Sequence, residues 1–143
     1  MKEEPCGLLI KQISEALDKN INKALKEDGL THSQLMLMIF LSEAEGKRLS
    51  FKELEKKLGV AQPTTVGIIS RLEQKGFVSI MGDASDKRVK LVELTDAGME
   101  KCRHTHEFAT MAEEKMLFGI TDKEKDQLND LLKKVRNNLA EIR

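Results

Sequence analysis

The residues with the clearest chemical potential in this sequence form a short charged segment, Asp86-Lys87-Arg88. A carboxylate two positions before an arginine can hold the planar guanidinium in one orientation through a charge-assisted hydrogen bond. A guanidinium held in this way suits insertion into a narrow, electronegative DNA minor groove. Lys87 and Lys90 add positive charge, which attracts a phosphate backbone without reading its sequence. The segment is therefore suited to contact double-stranded DNA when the surrounding elements form a DNA-binding module.

Residues that could catalyse a reaction form no recognisable arrangement. The sequence contains no nucleophile motif, no phosphate-binding loop and no pair of carboxylates at metal-ligand spacing. Cys6 and Cys102 are too far apart in sequence to form a Cys-x-x-Cys pair. On a helix, His104 and His106 would point about 200° apart, so they cannot share a metal ion. We therefore predict that the protein is not an enzyme and needs no metal or cofactor.

The charged segment lies at the tip of a predicted β-hairpin. Residues 77–81 and 88–94 are rich in β-branched residues, and the second run alternates between apolar and polar positions. The polar residues 82–87 between them have the composition of a turn. The hairpin would therefore present the charged segment to solvent.

Two short helices are predicted immediately before the hairpin. Ser50 and Glu53 have the spacing of a capping box, which marks the start of the first helix. Pro63 is tolerated in the first turn of the second helix, which runs to Gly76. A short turn at residues 59–61 joins the two helices, so the pair is predicted to form a helix-turn-helix.

The second helix of this pair is predicted to read DNA in the major groove. We expect Val66, Ile69 and Leu72 to point inward. The residues expected on the DNA-facing side or at the N-terminal end are Gln62, Thr64, Thr65, Ile68, Arg71 and Lys75. Side chains at the N-terminal end would reach base edges, whereas Arg71 and Lys75 are better placed for phosphates.

Longer helices are predicted on both sides of this region, so the expected fold is mainly α, with a winged helix-turn-helix. An amphipathic helix ends near Gly29, and an almost wholly apolar run at residues 35–41 predicts a buried second helix. Thr95 is a predicted cap for a helix that extends to about residue 118. Thr121 and Glu124 form a second capping box, ahead of a helix whose apolar stripe is Leu128, Leu131, Leu132, Val135, Leu139 and Ile142.

The helices at the two ends cannot bury these stripes within one chain, so we expect an obligate homodimer. The chain, residues 1–143, is predicted as a single domain in which residues 7–30 and 96–143 form the dimerisation helices. Residues 31–95 form the winged helix-turn-helix. The residues predicted at the dimer interface are Leu9, Ile13, Leu128, Leu131, Leu132, Val135 and Leu139.

Three sequence blocks resemble the multiple-antibiotic-resistance regulator (MarR) family of dimeric winged-helix repressors. They are LGVAQPTTV at 58–66, RLEQKGFV at 71–78 and DKRVKLVELTDAG at 86–98. The resemblance covers nearly the whole chain. It implies that Asp86 and Arg88 match the Asp and Arg of the family's wing, and that Gln62, Thr64 and Thr65 match DNA-contacting positions. It also implies dimerisation through the first and the last two helices.

The resemblance further implies repression that is relieved by a small phenolic or amphipathic ligand, an oxidant or a metal. A methionine-containing pocket between the buried second helix and the fifth helix is one candidate ligand site, built from His32, Met36 and Met111. Ala61 departs from the family, whose members usually carry Ser or Thr there, so a side-chain cap is lost at the start of the reading helix.

Composition leaves alternatives to this interpretation. Lys plus Arg and Asp plus Glu both number 24, and residues 50–95 contain eight basic residues against six acidic ones. A winged helix that binds a protein partner instead of DNA therefore remains an alternative, as does a regulator switched by Cys6 or a metal.

Five Phe and no Trp or Tyr argue against a surface that stacks single-stranded bases. No secretory signal or membrane-spanning run is visible, so we expect a cytoplasmic protein without a membrane partner.

Overall fold

Six α-helices and a small antiparallel sheet make up the structure, a computed structural model that describes residues 3–140. A 3-10 turn, Glu45–Lys47, precedes the first strand. The elements in chain order are α1 (Cys6–Glu27), α2 (His32–Glu43), β1 (Arg48–Ser50), α3 (Phe51–Leu58), α4 (Gln62–Gln74), β2 (Val78–Gly82), β3 (Lys90–Leu94), α5 (Asp96–Met116) and α6 (Asp122–Ala140). This order confirms the predicted fold class, a mainly α winged helix-turn-helix with long helices at both ends. The last position of the predicted C-terminal stripe, Ile142, lies outside the described residues.

The chain divides into two compact units, residues 1–103 and 104–143. The first unit contains the winged helix-turn-helix and its hydrophobic core. Helix α2 supplies much of this core, which explains why its sequence is apolar on every side. The side chains that are fully buried there are Leu37, Met38, Leu41, Leu54, Thr65, Ile69, Leu72 and Val92.

The sheet has the strand order β1-β3-β2, and both pairs are antiparallel. Val78 pairs with Leu94 and Gly82 with Lys90, so β2 and β3 form the predicted hairpin. Strand β1 pairs Leu49 with Val92 and was not predicted, because three residues are too few to show alternation. The third strand starts at Lys90 rather than at residue 88, which leaves Arg88 in the turn.

The predicted helix starts are confirmed by their hydrogen bonds. Ser50 Oγ accepts from Glu53 N and Glu53 Oε1 accepts from Ser50 N, both at 3.1 Å. Thr121 and Glu124 form the same reciprocal pair at the start of α6, at 3.2 and 3.0 Å. Thr95 Oγ1 accepts from Gly98 N at 3.1 Å and caps α5. Helix α5 ends at Met116, slightly before the predicted end near residue 118.

Both end helices expose their apolar residues. In α1, Leu25 is the one buried residue among those described, and in α6 none is buried. The predicted interface residues Leu9, Ile13, Leu128, Leu131, Leu132, Val135 and Leu139 are between 38% and 63% exposed. Within residues 3–140, no helix is both long and apolar enough to cross a membrane.

Candidate DNA-binding surface

Helices α3 and α4 form the predicted helix-turn-helix in the first unit. Their buried contacts come from Leu54 of α3 and from Ile69 and Leu72 of α4. Ala61, the residue before α4, makes no side-chain capping bond. The first amides of α4 therefore lack a side-chain partner, and the positive end of the helix dipole is left for another acceptor.

The buried side of α4 differs from the predicted one. Thr65 is 1% exposed, and its hydroxyl donates to the Ala61 carbonyl oxygen at 3.3 Å. Val66, predicted to point inward, is 42% exposed. The prediction for Val66 was wrong because Thr65, Ile69 and Leu72, at i, i+4 and i+7, share one face of the helix. The predicted DNA contact by Thr65 was also wrong, since its side chain lies in the core.

The outward side of α4 is consequently centred on residues that the sequence analysis did not select. At about 100° per residue, Gly67 and Gln74 lie opposite the buried face, with Ser70 and Arg71 beside them. All four are exposed, whereas Ile68 is half-buried at the edge of the core. Gln62 and Thr64 are exposed at the N-terminal end, as predicted. A helical wheel that places Thr65 inward would have identified Ser70 and Gln74.

Lys75, a predicted phosphate contact, already has partners within the protein. Its ammonium group donates to the Gly29 carbonyl oxygen, and also to Gln34 Oε1 at 3.0 Å. Arg71, one turn earlier, is exposed and makes no side-chain hydrogen bond or ion pair recorded in the described structure. Arg71 is therefore the basic side chain of α4 that is available to a phosphate.

The wing is the β2–β3 hairpin, and a network of local hydrogen bonds shapes its tip. Asp83 N donates to the Val89 carbonyl at 2.9 Å and closes the loop, while Val89 N donates to the Asp86 carbonyl at 3.0 Å. Ser85 N donates to Asp83 Oδ1 at 3.0 Å. Lys87, Arg88 and Lys90 are exposed on this loop and at the start of β3.

The predicted pairing of Asp86 with Arg88 is confirmed. Arg88 Nε donates to Asp86 Oδ1 at 3.1 Å and Nη2 donates to Oδ2 at 3.3 Å, so the guanidinium is held at both carboxylate oxygens. These side-chain hydrogen bonds, with a further one from Arg88 N, hold the pKa of Asp86 below its usual range. The Arg88 side chain is still 90% exposed, so it is oriented and accessible at the same time.

The remaining predictions concern a ligand pocket, the two cysteines and a metal site. His32 is exposed and Met36 half-buried in the first unit, while Met111 is exposed in the second, and the pocket they were predicted to share stays a prediction. Cys6 is exposed, and burial raises the pKa of the half-buried Cys102 thiol. Within residues 3–140, no three His, Cys, Asp or Glu side chains are grouped so as to hold a metal ion.

Comparison with known proteins identifies the family of this chain. A model of the MarR family matches residues 30–90. An uncharacterized HTH-type transcriptional regulator, YdgJ of Bacillus subtilis (strain 168), is 31% identical over 114 residues, which cover 80% of this chain and 68% of that protein. The chain belongs to the MarR family. As a MarR-family member it is a transcriptional regulator with a DNA-binding fold, and it is not an enzyme.

Solved structures of other proteins have the same fold. A mutant of MepR from S. aureus superposes with a TM-score of 0.86 at 21% identity, covering 95% of this chain and 99% of that one. Wild-type MarR from E. coli in its apo form superposes with a TM-score of 0.75 at 28% identity, covering 94% of this chain and 98% of that one.

Proposed function

We propose that this protein is a ligand-responsive repressor that binds a pseudo-palindromic operator as a homodimer. The observation that carries the proposal is the wing, where Arg88 is held by Asp86 and yet 90% exposed. An arginine held in this way loses little freedom when it enters a minor groove, because its orientation is set before binding.

The direct DNA contacts would come from α4 and the wing. On α4, Gln62, Thr64 and the uncapped first amides would meet base edges and phosphate, and Arg71 would contact the backbone. Ser70 and Gln74 extend this surface along the outward side of the helix. On the wing, Arg88 would enter the minor groove while Lys87 and Lys90 contact phosphates.

The exposed apolar stripes of α1 and α6 support the homodimer. Five apolar residues of α6, Leu128 to Leu139, are at least 38% exposed, and Leu9 and Ile13 of α1 are similarly open to solvent. Water-exposed stripes of this size are unfavourable unless another surface covers them. A second copy related by a two-fold axis would cover both stripes and would present two reading helices to half-sites about 34–36 Å apart.

DNA binding and ligand response are both proposed by analogy with proteins of the same fold. A MepR mutant bound to an oligodeoxyribonucleotide superposes with a TM-score of 0.74 at 22% identity. BpsR from Bordetella bronchiseptica, whose DNA binding is regulated by 6-hydroxynicotinic acid, superposes with a TM-score of 0.68 at 22% identity. For this chain we propose a small phenolic or amphipathic effector, with His32, Met36 and Met111 as candidate contacts.

Selection of bound duplexes from a randomised pool, followed by salt titration, tests the proposal. We expect an enriched sequence with two inverted half-sites, and an affinity that falls steeply as the salt concentration rises, because phosphate contacts release counterions. Sedimentation of the same preparation should give the mass of two chains. A monomeric mass would exclude the proposed homodimer. A protein that enriches no sequence and shows no salt-dependent binding would exclude the DNA-binding function and favour a winged helix that binds another protein.

A further inference from the structure

One side chain joins the end of α4, the helix proposed to read DNA, to residues of the first unit that are far away in sequence. Lys75, directly after α4, donates to the Gly29 carbonyl oxygen and to Gln34 Oε1. These partners are 46 and 41 residues away in sequence. Gly29 lies in the turn between α1 and α2 and Gln34 in the first turn of α2, and together they form the α1–α2 corner. The end of α4 is therefore joined, through the ammonium group of Lys75, to the turn after α1 and to the first turn of α2.

The two acceptors of Lys75 are held in place by hydrogen bonds within their own segment. Gly29 has a φ of +69°, a backbone conformation that favours glycine, and its N–H donates to the Lys26 carbonyl at 3.1 Å. Gln34 is 3% exposed, and its Oε1 also accepts from Thr31 N at 3.3 Å in the capping box of α2. The acceptor oxygens are thus fixed by local structure, and the flexible partner is Lys75.

The corner itself is anchored to the core. Leu25 at the end of α1 and Leu30 after the turn are each 5% exposed. Asp28 lies 3.7 Å from Lys101 Nζ, which links the same corner to the start of α5. A displacement of α1 would consequently move Gly29 and, through Lys75, the end of α4.

We propose that Lys75 is a positioning residue for DNA binding, a latch that sets the orientation of α4 relative to the α1–α2 corner, and not a phosphate contact. The inference rests on the proposed function, because α1 carries part of the proposed dimer interface. Both acceptors of Lys75 are neutral, and a hydrogen bond from a charged donor is stronger than one between neutral groups. The latch makes the position of α4 depend on how α1 is held in the proposed dimer.

The test compares three variants of the full chain on the duplex selected from the randomised pool. Lys75→Met removes the donor at similar side-chain length, and Lys75→Arg keeps a cationic donor. Lys87→Met, on the wing, is the control for the loss of one phosphate contact. The measured quantities are the dissociation constant at several salt concentrations and the hydrogen exchange of the Leu30 and Phe77 amides, which donate within the corner and at the end of α4 at 2.9 and 3.0 Å.

We expect Lys75→Met to weaken DNA binding roughly threefold to tenfold with an unchanged dependence on salt, because no phosphate contact is lost. Exchange of the Leu30 and Phe77 amides should accelerate in this variant, and Lys75→Arg should restore both the affinity and the slow exchange. In the control, Lys87→Met, the slope of log affinity against log salt should fall by about one while the two amides exchange as in the wild type.

The proposal is overturned if Lys75→Met lowers the salt slope like Lys87→Met, since Lys75 would then be a phosphate contact. Unchanged affinity in Lys75→Met overturns it too, as does unchanged exchange at Leu30 and Phe77. Failure of the wild-type protein to bind any duplex would count against the proposed function, whereas the exchange comparison would still decide whether the latch exists.

Discussion

Gly98, in the first turn of α5, occupies a space that has no room for a side chain. A Cβ added there would lie 2.6 Å from Leu94 Cδ1 and still closer to the Phe77 carbonyl oxygen. That carbonyl already accepts from Thr95 N at 3.0 Å, a bond that joins the base of the wing to the start of α5. Gly98→Ala must therefore displace backbone and not merely a flexible side chain.

The expected change in the free energy of unfolding is the difference between two effects. Replacing glycine by alanine in a helix gains up to about 1 kcal/mol from backbone entropy. Overpacking of a close-packed site typically costs about 1–3 kcal/mol, and the cost is at the upper end when a backbone carbonyl must move. Because two heavy atoms are far inside contact distance, the steric cost dominates, and Gly98→Ala should be destabilising by about 1–2 kcal/mol.

Urea unfolding at a fixed protein concentration measures this change, since the stability of an associating protein depends on concentration. Gly67→Ala is the matched control, because Gly67 lies within α4 and a Cβ there meets nothing within 4 Å. The control should be neutral or stabilising by up to about 1 kcal/mol. If Gly98→Ala were as stable as the wild type or as the control, the steric argument for this position would be wrong.

Three further predictions concern the wing and the proposed dimer. Arg88→Ala should weaken binding of the selected duplex and lower the slope of log affinity against log salt by about one, while the mass of the proposed dimer is unchanged. Thermal stability should change little, because the Asp86–Arg88 pair is exposed to solvent; an unaltered slope would show that Arg88 does not contact DNA. Because Arg88 depresses the pKa of Asp86 in the folded state, the pair stabilises the fold at pH values above the ordinary carboxyl range, and this contribution is lost as the pH falls through the depressed pKa. A carboxyl-carbon NMR titration should show the Asp86 pKa rising toward 3.8 in Arg88→Ala, and an unmoved pKa would contradict the assigned cause. Leu132→Asp should convert the proposed dimer into monomers in sedimentation experiments, whereas Lys123→Asp, on the polar side of the same helix, should leave the mass unchanged.

Much of the fold could be predicted because its signals are local. The capping boxes at Ser50 and Thr121 join residues three apart, and the Asp86–Arg88 pair joins residues two apart. Interactions over such short distances form whenever the local backbone is correct, so residue type and spacing are sufficient to identify them. The same reasoning located the wing and the order of the helices, and the sequence blocks of the family agreed with it.

The features that required the tertiary structure depend on partners far away in the chain. Strand β1 exists because Leu49 pairs with Val92, and three residues have no detectable period of their own. Thr65 rather than Val66 enters the core because the packing of the other elements decides which side of α4 is covered. Lys75 has the charge and the position of a phosphate contact, yet its ammonium group is bonded to Gly29 and Gln34 more than 40 residues away. Sequence alone therefore determined the order of the helices, the presence of the hairpin and the capped starts of the helices, whereas the three-dimensional packing decided which side chains remain available to DNA.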